Sequence, residues 1–136
     1  MIVVDTNVIA YLFLEGEHTP EAERVLKIDP DWVSSRLWRS EFRSVLALYL
    51  KKKTISFDQS LNIAQAAELF MREKEYEPFS PEILRLVLDS RCSAYDCEFV
   101  ALAQAFNAPL VTSDERILKH FSSTAVSLKT FASRIY

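Results

Sequence analysis

The chain has 136 residues, of which 49% are apolar and 26% charged, and a formal net charge of −3. That length suffices for one domain with a real core, and the composition is globular rather than disordered. The longest uninterrupted apolar run, residues 8–14, falls far short of the ~20 residues of a membrane helix, and the net charge gives no general electrostatic footprint for nucleic acid, leaving local basic patches or bound metal as routes to a polyanion.

Along the chain, strand and helix signals alternate. Residues 2–5 read as a short apolar strand and 7–14 and 20–28 as helices. A strand at 32–34 leads into a long helix at 37–53, and a second long helix spans 57–74. A weak strand at 76–79 is followed by helices at 81–90 and 94–106, a strand at 110–112, a helix at 115–121 and a last strand at 125–128. Ser56, Ser80-Pro81 and Ser93 stand where helix starts want a cap. Strands alternating with helices predict a parallel sheet covered on both faces, in one domain over residues 1–136 without repeat or linker. The amino terminus has no basic leader and carries Asp5 within its apolar run, so no signal peptide is expected and a soluble cytoplasmic protein is.

Several chemistries find no support. Cys92 and Cys97 are five residues apart, neither a zinc nor a redox spacing, and read as small core residues. His18 and His120, the only histidines, sit in no triad or metal spacing, and the single glycine, Gly16, excludes a phosphate-cradling glycine loop.

Four acids carry the positive signal. Asp5 ends the first strand and Asp114 follows the strand at 110–112. Glu41 lies in the apolar stripe of Trp38, Phe42, Val45, Leu48 and Tyr49, and Asp96 in that of Phe99, Val100, Ala103 and Phe106. One acid in the first turn of a helix is usually a cap or a dipole partner. Four together, two at strand ends and two on core-facing stripes, point instead to a shared cation, because buried carboxylates are costly unless paired or metal-bound. In open parallel sheets ligands bind at strand carboxyl ends where the strand order reverses, so Asp5 and Asp114 converge if their strands are neighbours. Oxygen-only ligands suit Mg²⁺ or Mn²⁺, and such a cluster suits phosphodiester hydrolysis. Thr6, Asn7, Thr112 and Ser113 are polar groups placed to orient the carboxylates.

These residues resemble the PIN-domain ribonucleases, especially the VapC-like toxins of toxin–antitoxin pairs. The segment MIVVDTNVIAYL resembles the family's opening strand with Asp5, SRLWRSEFRSVL the segment carrying its glutamate as Glu41, and SAYDCEFVALAQAFNAPLVTSDERIL its third block with Asp96, Thr112 and Asp114. The resemblance implies an α/β/α sandwich with a five-stranded parallel sheet. It also implies four acids binding Mg²⁺ or Mn²⁺, and cleavage of single-stranded RNA by in-line attack of a metal-activated water. A homodimer and inhibition by a small antitoxin protein are implied as well. A stand-alone PIN nuclease in RNA processing, or a PIN module that binds without cutting, stays open.

Glu98 lies about 200° around the helix from Asp96 and reads as surface or rim rather than ligand. Arg36, Arg39 and Arg43, on one helix face beside Glu41, and Arg116, two residues past Asp114, are candidates for RNA phosphate contacts, although pairing with surface acids explains the first three equally well. The basic run 51–53 reads as a solvated helix end. Two rivals fail on residues. A receiver-like domain needs paired acids after the first strand, where only Asp5 stands, and an aspartyl phosphatase needs a second Asp where Asn7 stands.

Overall fold

The computed structural model describes residues 1–135. Five strands form one all-parallel sheet: β1 (Ile2–Val4), β2 (Trp32–Ser35), β3 (Glu75–Tyr76), β4 (Leu110–Thr112) and β5 (Ala125–Ser127). Their spatial order is β3-β2-β1-β4-β5. The chain first steps outward from β1 to β2 and β3, then crosses back to β4 and β5 on the other side. The order therefore reverses between β1 and β4, which pair as Val3 with Leu110 and Val4 with Val111. The expected adjacency of these two strands is present, and their carboxyl ends open on one crevice.

The helices are α1 (Thr6–Phe13), α2 (Thr19–Ile28), α3 (Trp38–Lys51), α4 (Phe57–Phe70), α5 (Ser80–Leu88), α6 (Ala94–Phe106), α7 (Glu115–His120) and α8 (Leu128–Ala132). Helix α6 lies against β1, β2 and β4 and carries α5 on its outside. On α6, Cys97 and every residue from Phe99 to Ala103 are buried, as expected of a helix enclosed by sheet and neighbouring helices. Helix α1 meets β4 and packs with α2 and α3, while α8 packs on α2, β4 and β5. The core joins β1, β2 and β4 to Trp32, Trp38, Phe42 and Phe99, all essentially inaccessible.

Four expectations from the sequence are corrected in detail. Helix α4 stops at Phe70, short of residue 74, because the chain turns at 71–73, with Glu73 at φ 66°, to feed β3. Strand β3 holds only Glu75 and Tyr76, ending before Pro78, which has no N–H to give a ladder. Leu48, expected in the buried stripe of α3, is 51% exposed, and Leu46 takes its place inside. The short helix α8, capped by the Ser127 hydroxyl on Thr130 N–H, was not anticipated. Asn107 closes α6 in the left-handed region at φ 50°, which asparagine tolerates, and lets the chain turn directly into β4. Both cysteines are free and buried. Among the described residues no helix is long and apolar enough to cross a membrane.

Candidate active site

The buried strand β1 delivers Asp5 to the crevice, 7% exposed, as the N-cap of α1. One carboxylate oxygen, Oδ1, accepts Thr6 N–H at 2.7 Å, and Oδ2 accepts the Thr112 hydroxyl at 2.7 Å. Burial pushes the Asp5 carboxyl up to about 7; the charges of Glu41 and Asp114 add to this, and the Thr112 and Thr6 hydrogen bonds oppose it. Glu41, half-buried in the first turn of α3, accepts the Thr6 hydroxyl at 2.6 Å. Burial raises its carboxyl too, with further contributions from the charges of Asp96, Glu98 and Asp114 and opposition from the Thr6 bond. The carboxylates thus sense one another across the crevice.

Asp114 follows β4 and caps α7, its Oδ1 accepting Arg116 N–H at 2.9 Å and Ile117 N–H at 3.2 Å. Asp96 is the third residue of α6 and shares a reciprocal cap with Ser93: Asp96 N–H donates to the Ser93 hydroxyl, and Ser93 N–H to Asp96 Oδ2. Both acids are half-buried.

The polar residues singled out beside the acids form one network. Thr112 Oγ1 donates to Asp5 and accepts Asp114 N–H at 3.0 Å, with the Asn7 amide at 3.4 Å. Asn7 also approaches Asp5 Oδ2 at 3.4 Å and takes Ser113 N–H on its Oδ1 at 3.2 Å. The Ser113 hydroxyl meets the Tyr11 phenol at 3.0 Å. The ends of β1 and β4 are therefore sewn together by side chains, which fixes the directions of Asp5 and Asp114.

Sequence reasoning missed two members of this neighbourhood. Glu98, half-buried, accepts the hydroxyl of the fully buried Ser35 at 2.8 Å. Ser35 Oγ in turn accepts Leu37 N–H, and Leu37 O accepts Glu41 N–H. The turn that launches Glu41 is thereby tied to α6. Glu98 was placed at the rim from its angle to Asp96, and its partial burial agrees with that; the hydrogen bond to Ser35 is what the angle alone did not show. Tyr11, the second, read only as part of an apolar run.

Of the candidate RNA contacts, Arg36 and Arg43 are exposed, and Arg116 is exposed in the first turn of α7. For Arg39 the geometry favours the pairing alternative. Its guanidinium is committed to Glu75 through Nε and Nη2 and to Glu68 through Nη1, and Glu75 also takes the Trp38 indole N–H. An arginine held by two acids at the α3–α4–β3 junction serves the scaffold, with three of its five N–H donors engaged and its charge matched by both carboxylates.

Among the described residues no Lys or Arg forms an ion pair with Asp5, Glu41, Asp96 or Asp114. Nor do three acidic, histidine or cysteine side chains among the described residues close on a common point as they stand. Like charges without a counter-ion repel, which disfavours close approach of these carboxylates to one another. The donors available are carboxylate oxygens alone, one of them buried with its charge uncompensated, and that set fits a hard divalent cation.

The architecture is a five-stranded parallel α/β sheet with Asp5 and Asp114 at the carboxyl ends of the two strands where its order reverses. The chain matches the PIN domain model over residues 2–123, and it belongs to that family. It is similar to Ribonuclease VapC3 of Pyrobaculum aerophilum, 24% identical over 124 residues that span 88% of this chain and 94% of that protein. Its fold is similar to a crystal structure of PAE2754 from Pyrobaculum aerophilum, with a TM-score of 0.76, 16% identity and coverage of 96% and 85% of the two chains. A toxin–antitoxin complex from Klebsiella pneumoniae has a TM-score of 0.68 at 19% identity, covering 94% of this chain and 98% of that one. FitAcB from Neisseria gonorrhoeae has a TM-score of 0.70 at 17% identity, with coverage of 93% and 96%.

Proposed function

We propose that this protein is a Mg²⁺- or Mn²⁺-dependent endoribonuclease acting on single-stranded RNA, and the toxin of a toxin–antitoxin pair. The observation that carries the reading is the buried, uncompensated Asp5 linked through Thr6 to Glu41 and through Thr112 to the Asp114 backbone. Membership of the PIN family, similarity to a protein named as a ribonuclease and likeness of fold to a toxin–antitoxin complex support it. The whole chain acts as one nuclease unit, dimerises, and is restrained by a small antitoxin protein.

Asp5, Glu41, Asp96 and Asp114 would hold the ion. When bound, it supplies Lewis-acid chemistry and water activation for phosphodiester hydrolysis. The protein's own part is positional. Thr112 commits its hydroxyl proton to Asp5, because its oxygen already accepts the Asp114 N–H, and so keeps one Asp5 oxygen oriented. Thr6 does the same for Glu41. Asp114 satisfies the first amides of α7 with a single oxygen, Oδ1, and its Oδ2 has no hydrogen-bond partner among the described residues.

The test is cleavage of a labelled single-stranded RNA by pure protein with Mn²⁺, with EDTA, and with Asp5→Asn and Asp96→Asn. Activity lost in EDTA and in both folded variants is expected. Cleavage undiminished in both variants would overturn the assignment. Inhibition by the product of an adjacent small reading frame tests the toxin reading, and light scattering tests the dimer.

A further inference from the structure

Away from the four acids, and apart from the basic run at 51–53, the described surface of this acidic protein carries a groove lined mainly by basic side chains without an ion pair. Arg91, Arg116, Lys119 and His120, together with Glu115, line a groove of about 590 Å³. All five are exposed, and among the described residues none of the four basic side chains makes an ion pair. Arg39, by contrast, is consumed by Glu68 and Glu75.

The groove's position gives it meaning. One wall is α7, which begins directly after Asp114, and the other is the turn at 89–93 that leads through Ser93 into α6 and Asp96. The walls are joined where the Cys92 thiol donates to Arg116 O at 3.8 Å. The cations therefore start where two of the acids stand and run outward along α7. A polyanion approaching a ring of carboxylates is repelled unless cations guide it, and a charged groove beside the ring supplies that guidance. Every lining residue is charged or titratable and none is aliphatic, so a protein segment finds no apolar anchor there, whereas a phosphate backbone finds donors.

We propose that this groove is the track along which the RNA phosphodiester backbone enters the acidic crevice, with Arg91, Arg116 and Lys119 each meeting a phosphate. The proposal rests on the nuclease reading and moves the substrate path to the α6–α7 side, away from the α3 face.

The test is anisotropy of a labelled single-stranded RNA with the full chain in EDTA, where turnover is absent, across a salt series. Each lost phosphate contact should lower the slope of log affinity on log salt by about 0.7 and weaken binding about fivefold at 0.1 M salt. Arg91→Ala with Lys119→Ala should lose twice the slope, while Lys51→Ala with Lys52→Ala, at the far end of α3, should keep it. With Mn²⁺ the first pair should raise KM with kcat held. Thermal melts confirm folding of each variant. No measurable RNA binding by the native chain, an unchanged slope in the Arg91/Lys119 variant, or an equal loss in the lysine control would overturn the proposal. So would unchanged RNA binding with lost antitoxin inhibition, which would make the groove a protein-docking surface. Asp5→Asn keeps the two readings separable: if it still cleaves, the nuclease site is misassigned whatever the groove does.

Discussion

Replacing Asp5 by Asn should make the metal-free protein more stable at alkaline pH while removing its response to metal. The folded state holds the Asp5 carboxyl at about 7, against 3.8 for the ordinary group, with burial the largest cause. At about 1.4 kcal/mol per tenfold change in proton affinity, ionised Asp5 destabilises the metal-free fold by about 4 kcal/mol. Because the folded value is raised, the folded state retains a proton that the unfolded chain has released between about pH 4 and 7. The stability associated with that proton is complete below about pH 4 and lost as pH rises through about 7. Asparagine stays neutral, keeps an acceptor for Thr6 N–H, and sacrifices the Thr112 hydrogen bond, at about 1 kcal/mol. The net gain above pH 8 is on the order of 3 kcal/mol, or about 10 °C in Tm for a domain of this size. At pH 5 the gain shrinks below about 1 kcal/mol.

The assay is thermal unfolding in EDTA at pH 5 and pH 8, followed by Mn²⁺ titration. A thousandfold excess of Mn²⁺ over its dissociation constant should add about 4.1 kcal/mol to the native chain and little to the variant, so their order of stability reverses. A variant that melts below the native protein in EDTA at pH 8, or a difference that stays constant from pH 5 to pH 8, would refute the claim that Asp5 is an uncompensated buried charge.

The tie from α6 to the Glu41 turn predicts that Ser35→Ala and Glu98→Ala each weaken Mn²⁺ binding by about tenfold in calorimetry, while Glu98→Gln, still an acceptor for Ser35, stays near the native value. Native binding by Glu98→Ala would sever that link. Arg39→Ala should lower stability by about 2 kcal/mol, since it strands the largely buried Glu75 with only the Trp38 indole, yet leave RNA cleavage per folded molecule unchanged. Reduced cleavage with unchanged melting would restore Arg39 as a substrate contact. Asp96→Asn should fold normally, because asparagine can replace aspartate in the reciprocal cap with Ser93, and should lose metal-dependent cleavage. Full activity in that variant would remove Asp96 from the ion site.

What could be read from the residues, and what could not, divides along physical lines. Asp5 and Asp114 were legible because strands of three residues leave little doubt about where the carboxyl end falls, and a parallel sheet puts such ends on one edge. Helix α6 was legible to the residue because Ser93 and Asp96 mark its start and its apolar stripe is continuous. Helix α8 was not, since five residues carry too little periodicity to register. The fate of Arg39 could not be read either. Its partners Glu68 and Glu75 come from α4 and β3, and the turn at 71–73 decides that they meet α3. The bond from Ser35 to Glu98 was not legible because its donor comes from β2, which a helical wheel of α6 does not include.

The two accounts of the acids weighed from sequence, helix capping and ion binding, turn out not to compete. Asp5 caps α1, Asp114 caps α7 and Asp96 completes the cap of α6, as the simpler account requires. A cap fixes a carboxylate against the first amides of a rigid helix. In Asp114 only Oδ1 and in Asp96 only Oδ2 serves the cap, while Glu41 uses only Oε1, on Thr6. The second oxygen of each has no hydrogen-bond partner among the described residues. Capping orients these acids in the folded chain, so under the proposed ion-binding role the entropy of ordering them would be spent in folding rather than in binding. Asp5 alone has both oxygens engaged, by Thr6 N–H and the Thr112 hydroxyl, and it is also the deepest of the four. Its charge, more than a free lone pair, is what it brings to a cation, which is why removing that charge should tell more than removing any one hydrogen bond around it.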